Sequence, residues 1–110
     1  MHELTTDGEL DAALAAPRFL LFKHSRICPR SARAFDAYER FVAAHPDAAT
    51  AWVDVIASRP LSQRAAAATG VRHESPQVLA LRAGAVCAHA SHETITEVFL
   101  ADAWDGTGAA

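Results

Sequence analysis

The chain has few of the residues on which several classes of protein depend. It contains two cysteines in 110 residues, aromatic residues make up only 7%, and the net charge is a mild −3. Two cysteines without a suitable histidine pattern do not match the four-ligand spacing of a zinc site. The scarcity of aromatic and basic residues argues against a nucleic-acid-binding surface. We therefore expect neither a metal site nor a nucleic-acid partner.

Long apolar runs are also missing. No stretch approaches the roughly 18 uninterrupted apolar residues of a membrane-spanning helix, and residues 1–4 lack the basic and apolar regions of a signal peptide. We therefore expect a cytoplasmic protein without a membrane partner. Because 51% of the 110 residues are hydrophobic, the chain suffices for one core and is too short for two. Residues 1–110 are predicted to form a single domain with a frayed tail over 105–110.

The remaining sequence alternates between helical and strand patterns in the order αβαβαββα. Thr6 or Asp7 is placed to cap the first helix, Gly70 to end the third and Ser91 to cap the last. The predicted helices cover 9–16, 29–45, 61–69 and 93–104, and the predicted strands cover 19–23, 50–56, 77–82 and 85–90.

This order predicts an α/β fold with helices on both faces of a mixed sheet. Strands joined through helices are expected to be roughly parallel, which gives three such strands, and the last two strands form an antiparallel hairpin around Ala83-Gly84. A cysteine after the first strong strand and a proline before the hairpin are typical of the thioredoxin-like fold. A ferredoxin-like or one-layer α+β fold is the alternative.

Cys28 occupies the position most suited to chemistry. It follows the apolar strand 19–23 and precedes Pro29, which fits the first position of a helix because it lacks an N–H. Cys28 is therefore expected at the N-cap, where unpaired N–H groups stabilise a thiolate. The cations expected to add to this effect are Lys23, Arg26, Arg30 and Arg33.

The other cysteine and position 31 indicate a protein with one active thiol. Ser31 stands where a Cys-x-x-Cys enzyme keeps its resolving thiol. Cys87 alternates with Val86 and Ala88 in a predicted strand, so we expect it to be inert. A structural disulfide between the two cysteines is not expected in a reducing compartment.

Ser75-Pro76 precedes the hairpin, where a proline is tolerated and a cis bond is accessible. We expect a cis bond beside Cys28, although an ordinary trans turn is the competing interpretation. His24, on the strand that leads into the Cys28 loop, is the histidine best placed to face the sulfur. Arg59, at a predicted helix start, is a candidate ligand contact.

Five stretches in the same order resemble the monothiol bacilliredoxins of the bacillithiol system, from residue 19 to the last helix. These are Phe22-Lys23-His24-Ser25, Cys28-Pro29-Arg30-Ser31, Arg59-Pro60-Leu61-Ser62, His73-Glu74-Ser75-Pro76-Gln77-Val78, and Ser91-His92 followed by Ile95-Thr96. Arg30 departs from the smaller apolar residue expected in many relatives.

The resemblance implies a thioredoxin-like fold and an enzyme that removes bacillithiol, a thiol built of cysteine, glucosamine and malate, from mixed disulfides on proteins. Bacillithiol is then a co-substrate rather than a tightly bound cofactor, the partners are bacillithiolated proteins, and a thiol reductase regenerates the enzyme. Cys28 is the expected nucleophile. The residues expected to line its site are Lys23, His24, Pro29, Arg30 and Ser31, and those expected to bind substrate are Arg26, Arg59, Ser75 and Pro76.

Two other functions fit the same residues. In the first, Cys28 and an external thiol from each of two subunits hold an iron–sulfur cluster, as in monothiol glutaredoxins. In the second, the fold is a redox-inert module that docks peptides at Pro76.

Overall fold

Four strands and four helices are present among residues 1–107, the part of the chain that this computed structural model describes. The strands are β1 (Phe19–His24), β2 (Thr50–Asp54), β3 (Gln77–Arg82) and β4 (Ala85–Ser91). The helices are α1 (Asp7–Ala15), α2 (Pro29–Ala44), α3 (Arg59–Thr69) and α4 (Glu97–Thr107), with a short 3₁₀ helix at His92–Thr94. No helix in this part of the chain is long and apolar enough to cross a membrane.

The strands form one mixed sheet in the order β2-β1-β3-β4. β1 and β2 are parallel, with Leu20 opposite Thr50. β3 is antiparallel to both of its neighbours, β1 and β4. The mixed sheet and its hairpin are as predicted, but the expectation that the three strands joined through helices are roughly parallel is wrong, because β3 runs opposite to β1 and β2.

The direction of β3 follows from the path between α3 and β3. Gly70 ends α3 in the left-handed conformation with φ of 73°, which a glycine adopts without steric cost. Residues 71–76, which belong to no helix or strand, then carry the chain to the sheet end at which β1 finishes. β3 consequently starts with Gln77 opposite Lys23 and runs back along β1.

Each face of the sheet buries its own apolar cluster, because successive strand residues point to opposite faces. Leu20 and Phe22 pack with Tyr38 and Phe41 of α2. Leu21 packs with Leu61 of α3 on the other face. The residues of β1 that precede the Cys28 loop are thus fixed from both sides.

The end of the chain differs from its predicted boundaries. Ser91 caps the 3₁₀ helix rather than α4, because Thr94 Oγ1 donates to Ser91 O at 2.6 Å and closes the turn locally. Thr96 caps α4 instead, because its Oγ1 accepts a hydrogen bond from the Phe99 N–H at 3.1 Å. α4 extends to Thr107, so it includes residues 105–107 of the predicted tail, and residues 108–110 lie outside the described part. Val98, predicted to face inward, is exposed.

We predict that Tyr38→Phe destabilises the fold by about 1–3 kcal/mol, because the buried Tyr38 hydroxyl lies 2.9 Å from both Leu20 O and Ala51 O and its loss leaves buried carbonyl groups underbonded. Urea denaturation measures the change. Glu39→Gln, at an exposed position on the same helix, is the control. Equal stability of the two variants would show that the hydroxyl does not hold α2 to β1 and β2.

Candidate functional site

Cys28 is the N-cap residue of α2, as predicted, with φ of −104° and ψ of 119°, and Pro29 is the first helical residue. The Cys28 carbonyl accepts the first helical hydrogen bond from the Ala32 N–H at 3.0 Å, and its own N–H donates to Ser25 O at 3.3 Å. The side chain is partly exposed. The thiol therefore meets solvent at the start of a 16-residue helix.

The backbone at this helix start can stabilise a negative charge. No side chain caps the first turn of α2, and the first N–H groups of a helix have no partner within the helix. These groups and the helix dipole favour an anion at the N-terminus. The Cys28 side chain therefore lies at the end of α2 that favours negative charge.

Ser31 is fully buried and holds the loop that carries Cys28. Its Oγ accepts a hydrogen bond from the Ser25 N–H at 2.9 Å and lies 2.7 Å from His24 Nδ1. The position of a resolving thiol is therefore occupied by a hydroxyl with two partners inside the loop.

His24 lies beneath this loop on the α2 face of the sheet. Its ring stacks on Phe35 with centroids 4.2 Å apart and meets the edge of Trp52. Burial lowers the pKa of His24, and the charge of Arg26 lowers it further against the opposing effect of Asp54. A neutral ring can accept a hydrogen bond from the Ser31 hydroxyl at Nδ1, with its own N–H at Nε2.

Lys23, the only lysine of the chain, points to the opposite face from His24. It is fully buried, and its Nζ lies 3.2 Å from His73 Nδ1. Burial lowers the pKa of Lys23 to about 8. Although Lys23 is close to Cys28 in sequence, its ammonium group therefore lies against His73.

Two of the predicted arginines are already in ion pairs. Arg26 contacts Asp54 at 3.3 Å and Glu3 at 3.2 Å, and its guanidinium lies over the Trp52 ring. Arg30 pairs with Glu93 at 3.2 Å. Carboxylates thus neutralise part of the charge that the sequence places near Cys28.

Arg59 borders a cavity of about 200 Å³ with Ser62 and His73. Within residues 1–107, the structure describes no acidic partner for this arginine. His73 Nδ1 in the same cavity is already near Lys23 Nζ and Ser62 Oγ, at 3.2 and 3.4 Å.

The Ser75–Pro76 peptide bond is cis. Pro76 directly precedes Gln77, which pairs with Lys23 at the end of β1, so the proline lies at the sheet end from which the Cys28 loop departs. Pro76 O accepts a hydrogen bond from the His92 N–H at 3.0 Å. Ser75 Oγ is buried without a partner in the described part of the chain.

Cys87 lies on β4, an edge strand of the sheet. Ala80 pairs with Ala88 and Leu81 pairs with Val86, so Cys87 is the extra residue of a β-bulge. Its side chain is exposed, and both cysteines are free thiols. It occupies the mid-hairpin position that the sequence predicts.

Asp54 and His92 are not among the predicted site residues. Asp54 Oδ1 accepts from the Ile56 and Ala57 N–H groups, both at 2.9 Å, and an aspartate at a strand end is the local signal for such a turn. His92 adopts a left-handed backbone with φ of 57°, which nothing in the local sequence indicates. Residues 1–107 hold no cluster of three or more His, Cys, Asp or Glu side chains suited to a metal ion.

We predict that His24 titrates below its ordinary pKa of about 6.5, because burial disfavours the charged ring. The unfolded chain then binds a proton that the folded chain rejects, so the free energy of unfolding decreases as the pH falls below about 6.5. Site-resolved NMR titration of the His24 ring measures the midpoint. A midpoint at or above 6.5 contradicts the buried neutral ring and its bond to Ser31.

Comparison with known proteins places the chain in a family. The family model described as Monothiol bacilliredoxin BrxC matches residues 2–100. A solved structure with a thioredoxin fold superposes with a TM-score of 0.86 at 29% identity, covering 93% of this chain and 91% of the other. A thioredoxin variant from Halobacterium salinarum gives 0.76 at 22% identity, covering 99% and 91%. Thioredoxin from Fasciola hepatica gives 0.74 at 15% identity, covering 96% and 97%. The fold is thioredoxin-like, and the chain belongs to the monothiol bacilliredoxin family.

Proposed function

We propose that the protein is a thiol–disulfide oxidoreductase that removes bacillithiol from protein mixed disulfides through Cys28. The family and the fold support a thiol redox function. The observation that carries the proposal is the position of Cys28, a partly exposed N-cap residue followed by Pro29, at the sheet end that also holds the cis Pro76.

The first step is attack by the Cys28 thiolate on the bacillithiol sulfur of a mixed disulfide with a client protein. A disulfide forms between Cys28 Sγ and bacillithiol while the bond between client and bacillithiol breaks. The electron pair of that bond leaves with the client sulfur as a thiolate, which takes a proton from water. The N–H groups at the start of α2 stabilise the attacking anion.

The second step needs a thiol from outside the protein. Ser31 carries no sulfur, and its hydroxyl is occupied by Ser25 and His24. A second small thiol or a reductase therefore attacks the Cys28–bacillithiol disulfide, forms a disulfide with bacillithiol and releases Cys28 as a thiolate.

The substrate contacts in this proposal flank Cys28. Ser75 and Pro76 meet the client chain through their backbone, since the Ser75 hydroxyl is buried. Arg59, at the start of α3, is a further contact, since it has no acidic partner among residues 1–107. Arg26 and Lys23 position the loop and the strand rather than meet a ligand, because each already has a partner.

We predict that Cys28→Ser abolishes removal of bacillithiol from a bacillithiolated client, because no other thiol lies at the helix start. Intact-mass spectrometry of the client over time measures the reaction. Cys87→Ser is the matched control and is expected to react at the wild-type rate. A Cys28→Ser variant that still restores the client thiol would disprove the proposal.

We predict that Ser31→Cys converts the protein into a dithiol enzyme. A thiol one turn along α2 attacks the Cys28–bacillithiol disulfide, forms an intramolecular disulfide and expels bacillithiol. Free bacillithiol released without an added reductant is the measured quantity. The control is Ser31→Ala, which also loses the hydrogen bonds to Ser25 and His24 but has no thiol; release by both variants would show that the second thiol is not the cause.

A further inference from the structure

A second cavity, of about 210 Å³, lies beside α2 and is not used by the mechanism above. It is lined by Arg30, Arg33, Ala34, His92, Glu93 and Ile95. The first three belong to the opening turns of α2, and the others belong to the 3₁₀ helix after β4 and the residue that follows it. The cavity therefore borders the helix that Cys28 caps.

His92 links this cavity to the cis proline. Its N–H donates to Pro76 O at 3.0 Å, and its φ of 57° is a left-handed conformation that is uncommon for a residue with a side chain. Its Nδ1 is buried and has no partner among the described residues. A buried polar atom without a partner is unfavourable, and a ligand group that bonds to it removes that penalty.

The charges that line the cavity favour an anion. Arg30 and Arg33 contribute two guanidinium groups, and Glu93 contributes one carboxylate, which pairs with Arg30 at 3.2 Å. No acidic partner of Arg33 is described within residues 1–107. Arginine binds carboxylates through paired hydrogen bonds, so Arg33 is suited to a carboxylate from a ligand.

The distance from Cys28 to Arg33 suits a small thiol whose charged groups lie far from its sulfur. An α-helix rises about 1.5 Å per residue, so the backbone of Arg33 lies about 8 Å along the axis from that of Cys28. In bacillithiol the carboxylates belong to the malate, which is separated from the cysteine sulfur by glucosamine. A molecule joined to Cys28 by its sulfur is therefore long enough to place its charged end at this axial distance.

We propose that this cavity is a subsite for the malate carboxylates of bacillithiol, with Arg33 and His92 as the ligand contacts. The proposal rests on the proposed function for the identity of the thiol. The cavity beside Arg59 suits these carboxylates less well, because the His73 Nδ1 there already has Lys23 and Ser62 as neighbours.

Two disulfides that differ only in the malate test the subsite. One is bacillithiol disulfide, and the other is the same disulfide with a methyl group in place of each malate. Arg33→Gln is expected to slow the reaction of Cys28 with bacillithiol disulfide about tenfold more than its reaction with the methyl analogue, the loss of roughly one charge-assisted hydrogen bond. Arg40→Gln, on the same helix and paired with Glu97, is expected to change neither rate.

Equal slowing of both disulfides by Arg33→Gln, or slowing of neither, would overturn the subsite while leaving the proposed function intact. A binding measurement distinguishes the subsite from the proposed function further. NMR of the Cys28→Ser variant with reduced bacillithiol is expected to shift the His92 ring and Arg33 Nε–H signals. Such shifts without removal of bacillithiol from clients by the wild type would support the subsite and refute the proposed function. Removal of bacillithiol from clients without these shifts would support the proposed function and refute the subsite.

Discussion

The hydroxyl of Ser31 fixes the loop on which the chemistry depends. Because it accepts the Ser25 N–H and contacts His24 Nδ1, it ties the end of β1 to the first turn of α2. His24 in turn is stacked on Phe35, so the loop is anchored to the aromatic side of the core. The same bonds hold Cys28 at the N-cap and place a hydroxyl where a second thiol would otherwise stand. One side chain thus determines both the geometry of the thiol and its lack of a local resolving partner.

The surroundings of Cys28 differ in charge on its two sides. Toward α3, the single lysine is buried against His73, and Arg26 is held by Glu3 and Asp54, so these cations stabilise the scaffold. Toward α4, the wall formed by α2 and the 3₁₀ helix keeps Arg33 and a ring nitrogen of His92 without described protein partners. A mixed disulfide has two unlike halves, and a site with two unlike sides can hold them in a fixed order around the reacting sulfur.

Local signals in the sequence predicted much of this structure, and long-range relations account for the rest. Pro29 was sufficient to place Cys28 at the N-cap, and Gly70 to end α3, because each acts within a turn of its own position. The direction of β3 depends on the path of residues 71–76, which no periodicity encodes. Lys23 was expected near the sulfur, but strand alternation turns it to the other face. His92 meets Pro76 and α2 only after the hairpin has formed, so its cavity has no signature in the sequence.

In the proposed reaction, one cysteine performs the exchange alone from the start of α2. Peptide mapping of the wild-type protein after oxidation by bacillithiol disulfide tests it most directly. We expect bacillithiol on Cys28 and a free thiol at Cys87, since Cys87 lies on an edge strand at a bulge. A Cys28–Cys87 disulfide in most molecules would instead identify a dithiol enzyme.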